Sequence, residues 1–161
     1  MAIKEAIKAL VIEVIPRGKI IFGGHPAITP LIASLMADHF PDYADRAILY
    51  QSMQFEGQFP PEVASFPNVI YTPKSLAGLA GSLLTMRKRM LSDQQISAAV
   101  FVGGMEGVID EFDLVKEICP NATLVPLAST GAAALAIFEG GNFTENLKLD
   151  ITYSTIFRNV I

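Results

Sequence analysis

The sequence predicts an α/β protein: one domain with about five parallel strands, wound on both faces by helices. Three observations carry that expectation. Short, nearly unbroken apolar runs alternate with helix-length segments; several of those runs end in glycine or small-residue turns; and the 161 residues are 51% apolar and 17% charged, enough to cover both faces of a sheet. A chain of this length buries roughly two thirds of its unfolded surface, so a core alone suffices to fold it.

Taken in order, Ile3, Ile7, Leu10, Val11 and Val14 recur at helical spacing, with Lys4, Glu5, Lys8 and Glu13 around the rest of the wheel. The chain therefore opens with an amphipathic helix, stopped by Pro16 and Gly18. Lys19-Ile-Ile-Phe22 reads as a strand, Gly23-Gly24-His25-Pro26 breaks it, and Thr29-Pro30 reads as an N-cap with proline at the first helical position of a helix over Leu31 to Phe40. Ala47 to Gln51 and Asn68 to Thr72 are the next strands, Ser75 to about Gln94 a long helix, and Ala98 to Val102 a strand closed by a second glycine turn. A helix over Val108 to Ile118, a strand over Thr123 to Leu127, a Ser-Thr-Gly turn, a helix over Gly131 to Phe138 and a last helix around Thr152 to Val160 complete the pattern. This is the doubly wound, Rossmann-like order. Between Phe55 and Pro67, the prolines at 60, 61 and 67 exclude a helix, and an ordered loop near the rim of a site is expected.

Composition removes several classes of function. Twelve Lys+Arg against sixteen Asp+Glu give a net charge of −4 and a pI near 5.1, the wrong balance for holding a nucleic acid through bulk charge. The charge-free stretches Ile20 to Ala37 and Thr123 to Phe138 are interrupted by Gly23, Gly24, Pro26 and Pro30, and by Pro126 and Gly131, so neither reads as a membrane span. The single cysteine, Cys119, has no partner for a disulfide, and no signal sequence opens the chain, so a cytoplasmic protein is expected. His25, His39 and Cys119 fall at no metal-ligand spacing, and neither a metal nor a resident cofactor is expected.

In parallel α/β sheets, ligands collect beyond the carboxyl ends of the strands, where helix N-termini leave N–H groups unpaired. Three turns here fit that description: Gly23-Gly24-His25-Pro26-Ala27-Ile28-Thr29, Gly103-Gly104-Met105-Glu106-Gly107, and Ser129-Thr130-Gly131. Each is small enough for close backbone approach and precedes a helix whose positive end suits an anion, so a phosphate or pyrophosphate fits the layout. Gly104→Val is accordingly expected to weaken binding. A Gly-Gly after a strand also serves as a plain tight connection, and His25 serves equally as a ligand donor or as a structural hydrogen-bonding group. Gln51 and Ser52 end the second strand, where they reach either a base or ribose or an ordinary sheet-edge partner. Glu106 would repel a phosphate but accepts bonds from ribose hydroxyls. Arg87-Lys88-Arg89, by position alone, is a solvated cluster at a helix C-terminus, and Glu111, beside Asp110 and Asp113, sits where the helix dipole favours acids.

Met86-Arg-Lys-Arg-Met-Leu-Ser-Asp followed by Ala99-Val-Phe-Val-Gly-Gly-Met-Glu-Gly-Val-Ile-Asp-Glu111 resembles the LOG proteins, the nucleotide phosphoribohydrolases once called lysine decarboxylases. There an Arg-Lys pair precedes a strand ending in Pro-Gly-Gly-x-Gly-Thr-x-x-Glu, at the spacing seen from Arg87 to Gly103. The resemblance implies that Arg87 and Glu111 flank an N-glycosidic bond, that Gly103-Gly104 hold the phosphate, and that the protein is a homodimer. Val102 stands in place of the proline, no threonine follows Gly107, and the loop to Glu111 is one residue longer. Those features look more like the wider SLOG superfamily, which implies a stand-alone domain that senses or processes nucleotides derived from NAD. Two readings follow: a nucleotide-binding sensor, and a phosphoribohydrolase in which Glu111 supports cleavage by analogy with glycosidases. A nicotinamide dehydrogenase is disfavoured, since no Gly-x-Gly-x-x-Gly follows the first strand and Gln51 replaces the acid that would close the second.

Overall fold

A computed structural model describes residues 1–161. In chain order its main elements are α1 (Ala2–Val14), β1 (Ile20–Gly23), α2 (Ile28–His39), β2 (Ala47–Ser52), β3 (Asn68–Thr72), α3 (Gly78–Asp93), β4 (Ala98–Val102), α4 (Glu106–Ile118), β5 (Thr123–Leu127), α5 (Ala132–Glu139), α6 (Asn146–Leu149) and α7 (Tyr153–Val160). They divide into two compact units, Val14–Gln94 and Met1–Glu13 with Gln95–Ile161.

In Val14–Gln94, three parallel strands lie in the order β1-β2-β3, with Ile20 opposite Ala47 and Ser52 opposite Thr72 at the two extremes of the registers. Only β2 has a neighbour on each side, and only β2 is buried along its whole length. Its sequence, apolar up to Tyr50, matches a strand covered on both faces. Ile48 and Tyr50 pack against Met86 and Met90, which with Ser82 form a stripe four residues apart along α3. On α2, Ile32, Ala33, Leu35 and Met36 form the buried stripe. The loop after β2 is ordered by two 3₁₀ turns, Met53–Phe55 and Pro61–Ser65, and by an edge-to-face contact of Phe66 on Phe22 at 5.5 Å. At the other end of the sheet, the buried Tyr50 donates its hydroxyl to Asp93 Oδ2 at 3.2 Å, and burial pushes its pKa up.

The second unit holds a two-stranded parallel sheet, β4-β5, with Ala98 opposite Thr123 and Val102 opposite Leu127. Pro126 lies within β5, where having a single partner strand leaves one side of the backbone free of ladder bonds. Ala6, Val125, Leu127, Phe138, Leu147, Tyr153, Ile156 and Phe157 make one core from α1, β5 and the last three helices. Arg158 pins α7 to α1 by two bonds to the Glu13 carboxylate, at 2.7 and 2.9 Å.

The five expected strands all form and are parallel within their sheets, but they do not make the single five-stranded sheet anticipated: the ladders join three strands and two. An apolar run specifies that a strand is buried and says nothing of which strand lies beside it. The architecture is α/β and compatible with a Rossmann-like fold. Helix starts also move. α2 begins at Ile28 rather than Leu31, because Ala27 takes the N-cap position and Thr29 lies inside the first turn. α3 begins at Gly78, whose φ of +78° sets the chain's entry to the helix, and α4 at Glu106, two residues before the apolar periodicity starts. The short α6 and a 3₁₀ stretch over Pro41–Arg46 carry no periodicity to announce them. No helix is long and apolar enough to cross a membrane.

Candidate functional site

The donor accounts of the three turns differ. At the first, the His25 N–H donates to Thr29 Oγ1 at 3.0 Å, the Ala27 N–H to His25 Nδ1 at 3.1 Å, and the Thr29 N–H to the His25 carbonyl at 3.0 Å. Residues 26 and 30 are prolines and have no N–H to offer. His25 thus organises its own turn, and accepting at Nδ1 places the proton of the neutral ring on Nε2. Gly23 and Gly24 have close neighbours: a Cβ at Gly23 would meet Met86 Cε at 2.9 Å, and one at Gly24 would overlap the Gln51 carboxamide, 2.7 Å from its Cδ. Gln51 is 4% exposed and its Oε1 has no hydrogen-bond partner; Ser52 Oγ accepts from the Gln54 N–H at 3.2 Å.

The second and third turns form one structure. The Gly103 N–H donates to Thr130 Oγ1 at 2.8 Å, and Thr130 in turn donates to the Leu127 carbonyl. The Ala134 and Ala133 N–H groups, which a first turn of α5 would otherwise leave bare, donate to the Gly103 and Gly104 carbonyls at 3.1 and 3.3 Å. Ser129 Oγ shares a bond with the buried Tyr153 hydroxyl at 3.2 Å. Gly103 and Gly104 are left-handed, at φ +52° and +82°, which only glycine adopts without strain. Their absent side chains are spaces already filled by Ile3 and Val108.

What this lattice of bonds leaves over is the N-terminus of α4. Met105, at the N-cap, supplies no side-chain cap, and the N–H groups of Met105, Glu106 and Gly107 have no acceptor in the protein. Met105 is 84% exposed and Glu106 is also exposed, so this end of the helix meets solvent. Glu111 follows Gly107 by four residues and so shares its face of α4. Arg87 lies on α3 in the other unit, beside exposed Lys88 and near Arg89, which pairs with Asp93 at 3.1 Å. Two shallow hollows in Val14–Gln94, of about 270 and 180 Å³, are lined by Lys19, Asn68, Ile70 and Gln94 and by Ala33, Met36, Pro41 and Phe66; neither includes a glycine turn. No three His, Cys, Asp or Glu side chains group as a metal site would require.

Sequence reasoning passed over Thr72, Ser75 and Ser82. The buried Ser82 hydroxyl accepts the Ser75 N–H at 2.9 Å and lies 3.2 Å from Gln54 Oε1, while Thr72 Oγ1 is buried and unpartnered. A threonine closing an apolar strand just before a serine-initiated helix was the available signal.

Parallel strands delivering glycine turns to helix N-termini define an α/β protein, compatible with a Rossmann-like fold. Within that class the chain belongs to the SLOG cluster3 family, which it matches over residues 1–161. No curated protein and no solved structure matches it.

Proposed function

We propose that this protein binds a nucleotide or a nucleotide-derived ligand of the NAD or ADP-ribose kind, with a phosphoryl group at the first turn of α4, and acts as a sensor or processing domain. The observation that carries the reading is the unpaired set of N–H groups at Met105, Glu106 and Gly107, on a helix of 13 residues entered from two left-handed glycines. Unpaired first-turn donors and the helix dipole together favour an anion there. Membership of the SLOG family supports a nucleotide-related role. Gly103, Gly104, Ser129 and Thr130 act in this reading by holding the turn, and the exposed Glu106 suits ribose hydroxyls better than a second phosphate. His25, Thr29, Gln51 and Ser52 belong to the other unit, and the phosphoryl proposal does not depend on them.

The test is a thermal-unfolding titration with AMP, NAD, ADP-ribose and adenosine, paired with amide shifts in a ¹⁵N spectrum. Phosphorylated ligands should stabilise the protein, by about 2.7 kcal/mol at a hundredfold excess over Kd, and shift Met105, Glu106 and Gly107. Adenosine should do neither; if those three amides stay unmoved at saturation, the reading fails. The enzymatic alternative draws on Glu111, placed one turn beyond Gly107, and on the Arg87-to-Gly103 spacing. It requires free base to be released from a nucleoside monophosphate and that release to be abolished by Glu111→Gln. A cytoplasmic homodimer completes the proposal; gel filtration across a range of concentrations checks the dimer.

A further inference from the structure

The N-terminus of α3, in Val14–Gln94, carries a feature that the reading at α4 leaves unused. Thr72 ends β3 fully buried, and its Oγ1 meets no donor or acceptor in the protein. A buried hydroxyl left unpaired costs about 1–3 kcal/mol, so folded proteins rarely retain one without a use. Its direction follows from the register. Ile70 packs in the cluster that Met86 and Met90 of α3 make with β2, and Thr72, two residues on, lies on the same face of the sheet. α3 runs back along that face, Met90 and Met86 lying over Ile48 and Tyr50, while Ser82 reaches Gln54 just beyond Ser52. Ser52 is the residue opposite Thr72, so the Thr72 hydroxyl faces the first turn of α3.

That turn is short of acceptors. Ala77 caps it without a side-chain bond, and the Leu79 and Ala80 N–H groups have no protein partner. Lys74 stands exposed in the connection from β3, and no Asp or Glu lies between Thr72 and Thr85. The covering residues are exposed: Leu76 is fully so, and a Cβ at Gly78 would find nothing within 4 Å, while the Ala77 and Gly78 N–H groups bond back to Ser75 Oγ and its carbonyl at 3.1 Å. Two free amides and one unpaired hydroxyl, with Lys74 two residues along the chain from Thr72 and no carboxylate in the segment, suit an oxyanion with three oxygens to share.

We propose that the first turn of α3 is a second phosphoryl-binding subsite, in which the Leu79 and Ala80 amides and the Thr72 hydroxyl hold the oxyanion and Lys74 supplies the charge. The exposed segment from Leu76 to Gly78 moves aside to admit it. The proposal stands independently of the reading at α4.

The full-length protein is titrated with inorganic phosphate, and separately with AMP, while ¹⁵N amide shifts and the unfolding midpoint are followed for wild type, Thr72→Val and Thr72→Ser. Saturable shifts at Leu79 and Ala80 are expected, whatever happens at Met105 to Gly107. Thr72→Val, which removes an unpaired hydroxyl at constant shape, should unfold at the same or a higher temperature and bind phosphate about tenfold more weakly. Thr72→Ser should bind as wild type does. A lowered midpoint in Thr72→Val would show that the hydroxyl already has a native partner and would overturn the proposal, as would unchanged phosphate affinity in that variant. Unmoved Leu79 and Ala80 amides in the wild type would overturn it without any variant. Shifts with inorganic phosphate but not AMP assign the subsite to the free anion; shifts with both assign it to the phosphoryl group of the nucleotide.

Discussion

Gly104→Ala tests the physics of the second glycine turn without any ligand. Gly104 has φ +82°, and a Cβ built there would overlap Val108 Cγ2 and sit 3.1 Å from Val108 Cβ. Holding alanine in the left-handed region costs about 1–2 kcal/mol. Driving Val108 off its rotamer adds about 0.5–1.5 kcal/mol. The sum, about 1.5–3.5 kcal/mol, corresponds in a chain of this size to a fall of about 3–14 °C in Tm. Thermal and urea unfolding measure it directly, and the cause can be divided. In a Val108→Ala background the overlap with Cγ2 disappears, while the 3.1 Å approach to Cβ and the backbone strain remain, so the double-mutant cycle should return a coupling of about 1 kcal/mol. A Gly104→Ala protein within about 0.5 kcal/mol of wild type would refute the reasoning, because neither cost could then be present. The expectation that Gly104→Val weakens binding by intruding on a phosphate acquires a different cause here: a side chain at this position runs into Val108 and acts on binding by deforming the turn.

Two further outcomes follow from buried polar groups in Val14–Gln94. Burial raises the Tyr50 pKa above the ordinary 10.0, so the folded protein holds that proton more tightly than the unfolded chain does. Tyr50 therefore stabilises the fold fully below pH 10 and loses that contribution as pH rises through its folded-state pKa; Tyr50→Phe should flatten the alkaline limb of the stability curve, and an unchanged alkaline limb would contradict this. Gln51→Met replaces a buried carboxamide whose Oε1 has no partner with a side chain of similar shape, and should leave stability unchanged or raise it by up to about 1–3 kcal/mol. A clear loss in chemical denaturation would mean that the amide makes a bond that matters.

The sequence made the elements legible because burial writes itself into spacing. The α1 wheel stops where Pro16 and Gly18 predict, and β2 and β5 read as apolar runs because they are buried. Helix starts were misplaced wherever the cap was unconventional: Thr29 looks like an N-cap but serves from inside the turn, and Met105 caps α4 with backbone alone. Strand partnership was illegible, since hydrogen bonds between strands involve backbone groups that every residue possesses. Of the candidate site, the glycine turns were visible but their occupancy was not. Whether an amide is free depends on a carbonyl or hydroxyl distant in sequence, as when Thr130 takes the Gly103 N–H across 27 residues.

That last point changes what a glycine turn signifies in a parallel α/β chain. All three turns here have small residues, a preceding strand and a following helix, and on those criteria they are equivalent. By donor accounting they are not. The first spends the His25, Ala27 and Thr29 N–H groups on its own residues, has prolines at two more positions and leaves the Ile28 N–H over, and the third gives the Ala133 and Ala134 amides of its helix to the carbonyls of Gly104 and Gly103. The glycines of the second turn are required by left-handed backbone and by the close approach of Ile3 and Val108, reasons that concern folding. Within the second turn it is the residues after them, Met105 to Gly107, that keep bonds to offer. An anion site in this fold is thus located by the amides that remain once the turn has been built, and the glycines mark where building it was difficult.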